Sequence, residues 1–181
     1  MSSEKSPASG RVWDLSVRMF HWSLVAAFFV AYLTDDDLME VHEWAGYIVG
    51  GLIVYRVIWG FIGPEHARFR DFIFPPATVI ADLRDLVARR SRRYLGHSPG
   101  GGVMVITLLA LCAAIVVSGV ILYAADQQAG PLAGLIAPSD QLEEAMEEVH
   151  EFLANFTVAL VAIHVCAVLF AGFVHRENLI K

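Results

Sequence analysis

Four long apolar segments dominate the pattern of hydrophobic and polar positions along the chain. They lie near residues 17–34, 42–63, 103–124 and 149–174. A helix needs about 20 apolar residues to cross roughly 30 Å of hydrocarbon, so each segment is long enough to span a bilayer. The first is the shortest and needs its interfacial flank to do so. The pattern predicts an all-α fold, a four-helix transmembrane bundle.

A weaker, amphipathic pattern occupies residues 75–90, between the second and third spans. Apolar residues recur there at helical spacing: Val79, Ile80, Leu83, Leu86 and Val87. Charged residues lie between and after them: Asp82, Arg84, Asp85, Arg89 and Arg90. This alternation predicts a cytoplasmic interfacial helix lying on the membrane surface. A short soluble helix within the loop is the alternative.

The segment before the fourth span, residues 125–148, combines loop and helix signals. The run AGPLAGLIAP has the Gly and Pro content of a loop. We expect Leu132, Leu135 and Ile136 to dip into the membrane interface. Asp140 precedes Glu143 by three residues, which indicates a capping box. The fourth helix is therefore predicted to begin outside the membrane and to enter it near residue 149.

The distribution of charge predicts the orientation of these spans. The basic residues fall at three places: Lys5, Arg11 and Arg18 near the first span, Arg56 to Arg93 from the end of the second span through the long loop, and Arg176 and Lys181 in the tail. The other two loops are acidic and contain no Lys or Arg. Since basic loops stay on the cytoplasmic side, both termini are predicted to be cytoplasmic. We expect a multi-pass protein of the bacterial inner membrane.

Composition supports a membrane protein and simple domain organisation. The chain is 56% hydrophobic and only 18% charged, whereas soluble domains average about a quarter charged. We divide it into a cytoplasmic tail (1–16), one four-helix domain (17–176) and a second tail (177–181). The N-terminus lacks the order of a signal peptide, so the first helix is expected to remain as the insertion signal.

Four of the seven histidines lie within or at the edge of the spans: His21, His42, His150 and His164. An ionisable residue at membrane depth indicates function. His150 and His164 are fourteen residues apart, so they share one face of a helix at a separation of about 21 Å. That separation is too large for one metal ion and suits two haems stacked across the membrane.

The other two histidines match these depths. His42 opens the second span at the outer surface, like His150, and His21 lies deeper in the first span, like His164. The pattern predicts two bis-histidine haem sites, His42–His150 and His21–His164. Two axial ligands leave no open position for dioxygen, so electron transfer is favoured over oxygen activation. No C-x-x-C-H motif is present, so the haem is predicted to be non-covalent b-type.

Several alternatives stay open on the sequence. A membrane histidine can simply hydrogen-bond a neighbouring helix. A non-redox metal transporter is a rival of another class, although it favours clustered ligands with acids nearby, and no Asp or Glu lies deep in a span. We expect His66, His97 and His175 to be solvated.

Two further features accompany the histidines. Arg56 lies deep for a cation and either pairs with a haem propionate or snorkels to the interface. Small residues such as Gly46, Gly50 and Gly119 allow either a porphyrin or a neighbouring helix to approach the backbone.

Six segments in matching order carry a family resemblance: RVWDLSVRMFHW, VHEWAGY, YRVIWGFIGPEHARFRDF, RRYLGHSPGGGVMV, VHEFLANFTVALVAIHV and HRENLIK. From residue 11 on, the chain resembles the bacterial cytochrome b561 family, which includes the cytochrome b subunit of nickel–iron hydrogenases. The resemblance implies a four-helix bundle with two b haems, ligand positions at His21, His42, His150 and His164, and quinone as electron donor or acceptor.

These features together predict a dihaem electron conduit in the membrane. It would link a periplasmic redox protein, such as a c-type cytochrome or hydrogenase, to the quinone pool, with lipid and quinone but no nucleic acid as other partners. A stand-alone superoxide:quinone oxidoreductase is the alternative that the resemblance also implies. The acidic outer loops repel an anionic substrate and instead favour a partner with a positive face.

Overall fold

The computed structural model describes residues 15–34, 38–64, 67–88 and 98–175, apart from the side chains of residues 86, 87, 174 and 175. The helices are α1 (Leu15–Leu33), α2 (Met39–Ile62), α3 (Pro76–Val87), α4 (Pro99–Asp126) and α5 (Asp140–His175), with a short 3-10 turn at Phe69–Asp71. The prediction of an all-α fold is confirmed.

Helices α1, α2 and α4, and residues Asp140–Phe173 of α5, are long and apolar enough to cross a membrane. Their outward faces carry large apolar side chains, for example Val54 and Phe61 on α2 and Ile163 on α5, which are 60%, 69% and 55% exposed. Such faces are stable in contact with lipid rather than water. The prediction of a four-helix transmembrane bundle is confirmed.

The bundle consists of two helical hairpins joined along one side. Helix α1 packs on α2, α4 packs on α5, and α2 packs on α4. The core at this junction is formed by Phe28, Val49, Ile53 and Cys112. Among the described residues, α1 and α5 have little direct packing and are linked by a 2.8 Å hydrogen bond from Tyr32 to Asn155. A cleft therefore opens between the hairpins.

The predicted amphipathic helix exists as α3, and it is docked against the start of α4. The Asp82 carboxylate, 6% exposed, accepts a 3.0 Å hydrogen bond from the backbone N–H of Gly100. Asp82, one of the charged residues of the amphipathic pattern, is therefore buried at the contact with α4 and caps that helix. Ile80 and Leu83 are 50% and 48% exposed. Their position at the membrane surface stays a prediction, and Arg89 and Arg90 lie outside the described residues.

The N-terminal end of α5 has a different cap from the predicted one. The carbonyl of Ser139 accepts from Leu142 and Glu143, and its hydroxyl accepts from the Leu142 N–H at 3.4 Å. Ser139 is therefore the N-cap, and Asp140 is the first helical residue. The prediction that Asp140 caps the helix is wrong by one residue, because the serine satisfies the same free N–H groups.

The loop between α4 and α5 folds back onto aromatic side chains of the bundle. Gly130 has a φ of 78°, and a Cβ there would lie 2.8 Å from the Tyr123 ring and 3.0 Å from the Tyr47 hydroxyl. Leu135 is 78% exposed, whereas Leu132 and Ile136 are half-buried. Insertion of this loop into the membrane interface stays a prediction.

Candidate functional site

His42 and His150 meet at the end of the cleft where α2 begins, which is called the outer end because the charge pattern predicts that it faces away from the cytoplasm. His42 lies in the first turn of α2, and its half-buried ring faces that of His150 on α5, with ring centroids 6.0 Å apart and planes at 63°. Two imidazoles that bind one metal ion, each at about 2 Å through a ring nitrogen, have centroids about 6 Å apart. The observed separation therefore fits a metal ion between the rings.

Backbone carbonyls define which nitrogen of each ring is available to a metal. The Nδ1 atom of His42 lies 2.9 Å from the Ala31 carbonyl oxygen, and Nδ1 of His150 lies 3.0 Å from that of Ile115. A carbonyl oxygen only accepts hydrogen bonds, so each Nδ1 carries the proton. In the neutral ring, Nε2 then holds the lone pair. This is the arrangement by which proteins commonly orient histidine ligands.

Glycines in the two facing helices have different local roles. A Cβ at Gly119 would lie 2.8 Å from Cε1 of His150, so this glycine lets the imidazole approach α4. A Cβ at Gly50 would lie 3.2 Å from Val116, which is a helix-packing contact. Gly46 borders the cleft and has no heavy atom within 4 Å of an added Cβ. The sequence did not distinguish a glycine that makes room for a functional group from one that allows helix packing, whereas the structure shows which contact each glycine makes.

The cleft around the outer histidines is apolar and is lined by four helices. Its walls combine aromatic, aliphatic and small side chains: Phe28, Ala31, Tyr32, His42, Gly46, Val49, Cys112, Ile115, Val116, His150 and Ala154. Cofactor sites with a broad apolar face are typically built in this way, with a few polar groups that set orientation.

His21 on α1 and His164 on α5 lie nearer the other end of the bundle. The two imidazoles are within electrostatic range of each other, and the His21 ring lies 5.2 Å from that of Trp22. Phe20 precedes His21 in α1, and Tyr55 precedes Arg56 in α2. The ring centroids of Phe20 and Tyr55 are 6.5 Å apart. Arg56 on α2 therefore lies at about the same depth as His21 on α1.

Arg56 is buried and incompletely hydrogen-bonded. It is 2% exposed, its guanidinium lies 5.0 Å from the centre of the Phe69 ring, and its NH1 has no hydrogen-bond partner among the described residues. A Cβ at Gly60 would overlap the Phe69 ring, so this glycine lets the loop cover the arginine. The guanidinium is thus covered by protein rather than exposed at the surface. Because a buried cation with an unsatisfied donor favours a counter-anion, the site fits a carboxylate.

The sequence did not indicate every polar group at these sites. Ser118 contacts His150, and Tyr32 lines the outer cleft and donates to Asn155. The only sequence signal for these two residues was a polar side chain within an apolar helix. That signal does not identify the partner, which in both cases lies on another helix. His66 and His97 lie outside the described residues, as does the side chain of His175.

Comparisons with known proteins agree with this architecture. The profile of the prokaryotic cytochrome b561 family matches residues 12–181. A probable Ni/Fe-hydrogenase B-type cytochrome subunit from Azotobacter vinelandii is 24% identical over an alignment of 204 residues, which covers 94% of this chain and 84% of the relative. A protein of the same description from Azotobacter chroococcum mcd 1 has the same identity and coverage.

No solved structure gives a significant match. The family match nevertheless extends over all four membrane-spanning helices and both histidine pairs. The chain belongs to the prokaryotic cytochrome b561 family, and it is a multi-pass membrane cytochrome b that carries b-type haem and transfers electrons.

Proposed function

We propose that this cytochrome binds two b-type haems, each between two histidines, and conducts electrons between an outer redox protein and the quinone pool. His42 and His150 hold the outer haem, and His21 and His164 hold the inner one. The observation that carries the proposal is the outer pair: centroids 6.0 Å apart, with both Nδ1 atoms bonded to carbonyls.

The residues of the chain supply ligation, orientation and charge. The Ala31 and Ile115 carbonyls keep the two Nε2 atoms in the form that binds a metal. The buried Arg56 guanidinium is suited to donate to a propionate carboxylate of the inner haem. Bound haem supplies one-electron chemistry between ferric and ferrous iron, and two histidine ligands leave no open position for dioxygen.

The two faces of the membrane differ in charge and in helix length. All thirteen Lys and Arg lie outside the two acidic loops, which supports cytoplasmic termini, an acidic periplasmic face and insertion in the bacterial inner membrane. Helix α5 begins ten residues before His150, about 15 Å, whereas α2 begins three residues before His42, about 5 Å. The outer haem is therefore most accessible from the side of the α1–α2 hairpin.

The acidic extension of α5 borders this approach. Glu144, Glu147 and Glu148 are exposed there. Such a surface favours a periplasmic partner with a basic face, for example a c-type cytochrome or a hydrogenase, since two relatives carry the name of a hydrogenase cytochrome subunit. The same carboxylates oppose the approach of superoxide, so the superoxide:quinone reaction is the weaker candidate.

The test is a redox titration of the reduced-haem spectrum of the purified protein, supplied with haem during expression. We expect two one-electron steps and reduction of both haems by a quinol. Histidine-to-alanine variants should divide into pairs: H21A and H164A each lose the inner haem, and H42A and H150A each lose the outer one.

The same variants define what would contradict the proposal. Loss of different haems from H21A and H164A would show that the pairing is wrong. A wild-type protein with one b-type step would exclude the dihaem arrangement. Two steps without electron exchange with quinol would exclude the quinone assignment alone.

A further inference from the structure

Ser118 contacts the outer histidine ligand from within α4. Its side chain is buried, with 4% exposure, and its hydroxyl oxygen lies 3.1 Å from Nδ1 of His150. The same hydroxyl lies 3.0 Å from the Ile115 carbonyl oxygen. His150 Nδ1 is itself 3.0 Å from that carbonyl, so the three polar atoms form a closed triangle.

The carbonyl determines how protons are arranged in this triangle. It has two lone pairs and no proton, so it can accept from both the serine hydroxyl and the imidazole N–H. Were the serine to donate to Nδ1 instead, that nitrogen would present a lone pair to the carbonyl at 3.0 Å, which is repulsive. The hydroxyl proton therefore points to Ile115, and the serine oxygen faces His150 as a second acceptor.

The two outer histidines differ in the number of acceptors that their Nδ1 proton contacts. Among the described residues, His42 donates its Nδ1 proton to the Ala31 carbonyl at 2.9 Å. His150 shares its proton between the Ile115 carbonyl and the Ser118 hydroxyl. A ring whose N–H is bonded by more acceptors carries more electron density and is a more basic ligand. Greater basicity stabilises ferric iron relative to ferrous iron.

We propose that Ser118 is a positioning residue that lowers the reduction potential of the outer haem through His150. The inference rests on the proposed function, since it requires His150 to be an axial ligand. The step concerned is the transfer of one electron from a reductant, such as quinol or the mediator of the titration, to ferric iron, which becomes ferrous while the proton stays on Nδ1. Removal of the hydroxyl should make the outer haem easier to reduce and leave the inner haem unchanged.

The test compares three variants of the haem-loaded protein by spectroscopic redox titration. In Ser118→Ala, we expect the ratio of ferrous to ferric outer haem at the wild-type midpoint to rise about threefold to tenfold, where tenfold corresponds to about 59 mV for one electron. Ser118→Thr retains the hydroxyl and should restore the wild-type midpoint.

Thr157→Val is the matched control. Thr157 is 1% exposed, and its hydroxyl donates to the Leu153 carbonyl at 2.7 Å within α5. The substitution removes a buried hydroxyl that bonds a carbonyl but leaves the Ser118–His150 contact intact. Its outer midpoint should match the wild type within experimental error.

Three results would overturn the inference: an unchanged outer midpoint in S118A, an equal shift of both haems, or an equal shift in T157V. If S118A loses the outer haem, Ser118→Cys decides, because a thiol is a weaker acceptor and should give an intermediate midpoint. A wild-type midpoint in S118C would then refute the inference. A wild-type protein without two b-type steps would instead refute the proposed function.

Discussion

The absence of a side chain at Gly119 is predicted to be required for outer haem binding. A Cβ there would lie 2.8 Å from Cε1 of His150, closer than real Cβ contacts allow. In Gly119→Ala the imidazole must turn away, so we expect the haem content to fall from two per chain to about one. A pyridine haemochrome assay measures this ratio, and the spectrum identifies the haem that remains.

Gly51→Ala is the matched control, because a Cβ at Gly51 meets no heavy atom within 4 Å. Alanine also has the higher helix propensity, by about 1 kcal/mol, so this control should retain both haems. Equal haem loss from the two variants would contradict the role assigned to Gly119.

The charge of Arg56 is predicted to affect the inner haem selectively. A unit charge about 10 Å away contributes about 1.7 kcal/mol at an effective dielectric constant of 20, and a positive charge favours the ferrous state. In Arg56→Gln we therefore expect the ferrous-to-ferric ratio of the inner haem at its wild-type midpoint to fall roughly tenfold to twentyfold. Redox titration measures the midpoint. Arg56→Lys keeps the positive charge, so its inner midpoint should stay close to that of the wild type.

Arg18→Gln serves as the control for this prediction. Arg18 lies on α1 toward the same membrane face but is exposed, so solvent and salt screen its charge. A shift in R18Q as large as that in R56Q would show that the buried position of Arg56 has no special effect.

At the residue scale, the sequence predicted those features that depend on helical periodicity alone. The four histidines were selected by depth and by helix face. The structure places the His42 ring 6.0 Å from that of His150, and the ligand role of all four stays a prediction. Ser118 could not be selected, because its contact with His150 joins residues 32 positions apart on different helices. The position of Arg56 stayed undecided, because its burial depends on Phe69 and Phe72, which the loop after α2 brings back against it.

At the scale of elements, the contact between α3 and α4 is predicted to stabilise the fold without tuning the haems. In Asp82→Ala the Gly100 N–H loses the carboxylate that caps it, which costs roughly 1–2 kcal/mol. We expect the melting temperature in detergent to fall by a few degrees, since about 1 kcal/mol corresponds to 2–4 °C in a protein of this size. Both haem midpoints should stay unchanged.

Asp85→Ala provides the comparison for this melting experiment. Asp85 lies on the same helix but is exposed, so its removal should alter the melting temperature by less than a degree or two. A similar melting temperature for D82A and the wild type would mean that α3 is not anchored through this hydrogen bond.

Helix ends were harder to predict than helix existence, for an identifiable reason. Hydropathy locates the apolar part of a helix, whereas its ends are set by capping groups. The third span was placed at 103–124, but α4 starts at Pro99 because Ser98 caps it through the Gly101 N–H. The early start of the fourth helix was predicted, because the capping signal near Asp140 precedes the apolar span of 149–174, and α5 does begin at Asp140.

At the scale of the whole molecule, the separation of charge across the membrane predicts unequal haem potentials. Exposed carboxylates border the outer histidine pair, whereas the buried Arg56 lies at the depth of the inner pair. Negative charge favours ferric iron and positive charge favours ferrous iron. We therefore expect the outer haem to have the lower midpoint in the wild type, and the H42A and H21A variants assign each midpoint to its haem.

The same charge separation predicts how a soluble partner reaches the outer haem. Electron exchange between the ferrous protein in detergent and a lysine-rich ferric cytochrome c should be fast at low salt and should slow by about tenfold or more as ionic strength rises, because attraction between opposite charges is screened. Replacement of Glu144, Glu147 and Glu148 by glutamine should reduce the low-salt rate and flatten its salt dependence. Stopped-flow absorbance at the haem bands measures both quantities.

Two controls separate electrostatic steering from damage to the haems. Ferricyanide is an anion, so its oxidation rate should rise rather than fall in the triple glutamine variant, because repulsion is reduced. Asp85→Asn neutralises an exposed carboxylate on α3, far from the outer histidines along the chain, and should leave both rates unchanged.

A salt-independent rate with the basic cytochrome, or parallel loss of both rates in the triple variant, would exclude the acidic extension of α5 as the surface that guides a basic partner. Opposite changes for the two oxidants would establish the carboxylates as that surface, since long-range charge acts in opposite directions on a cation and an anion, whereas a shift of the outer midpoint changes both rates in the same direction.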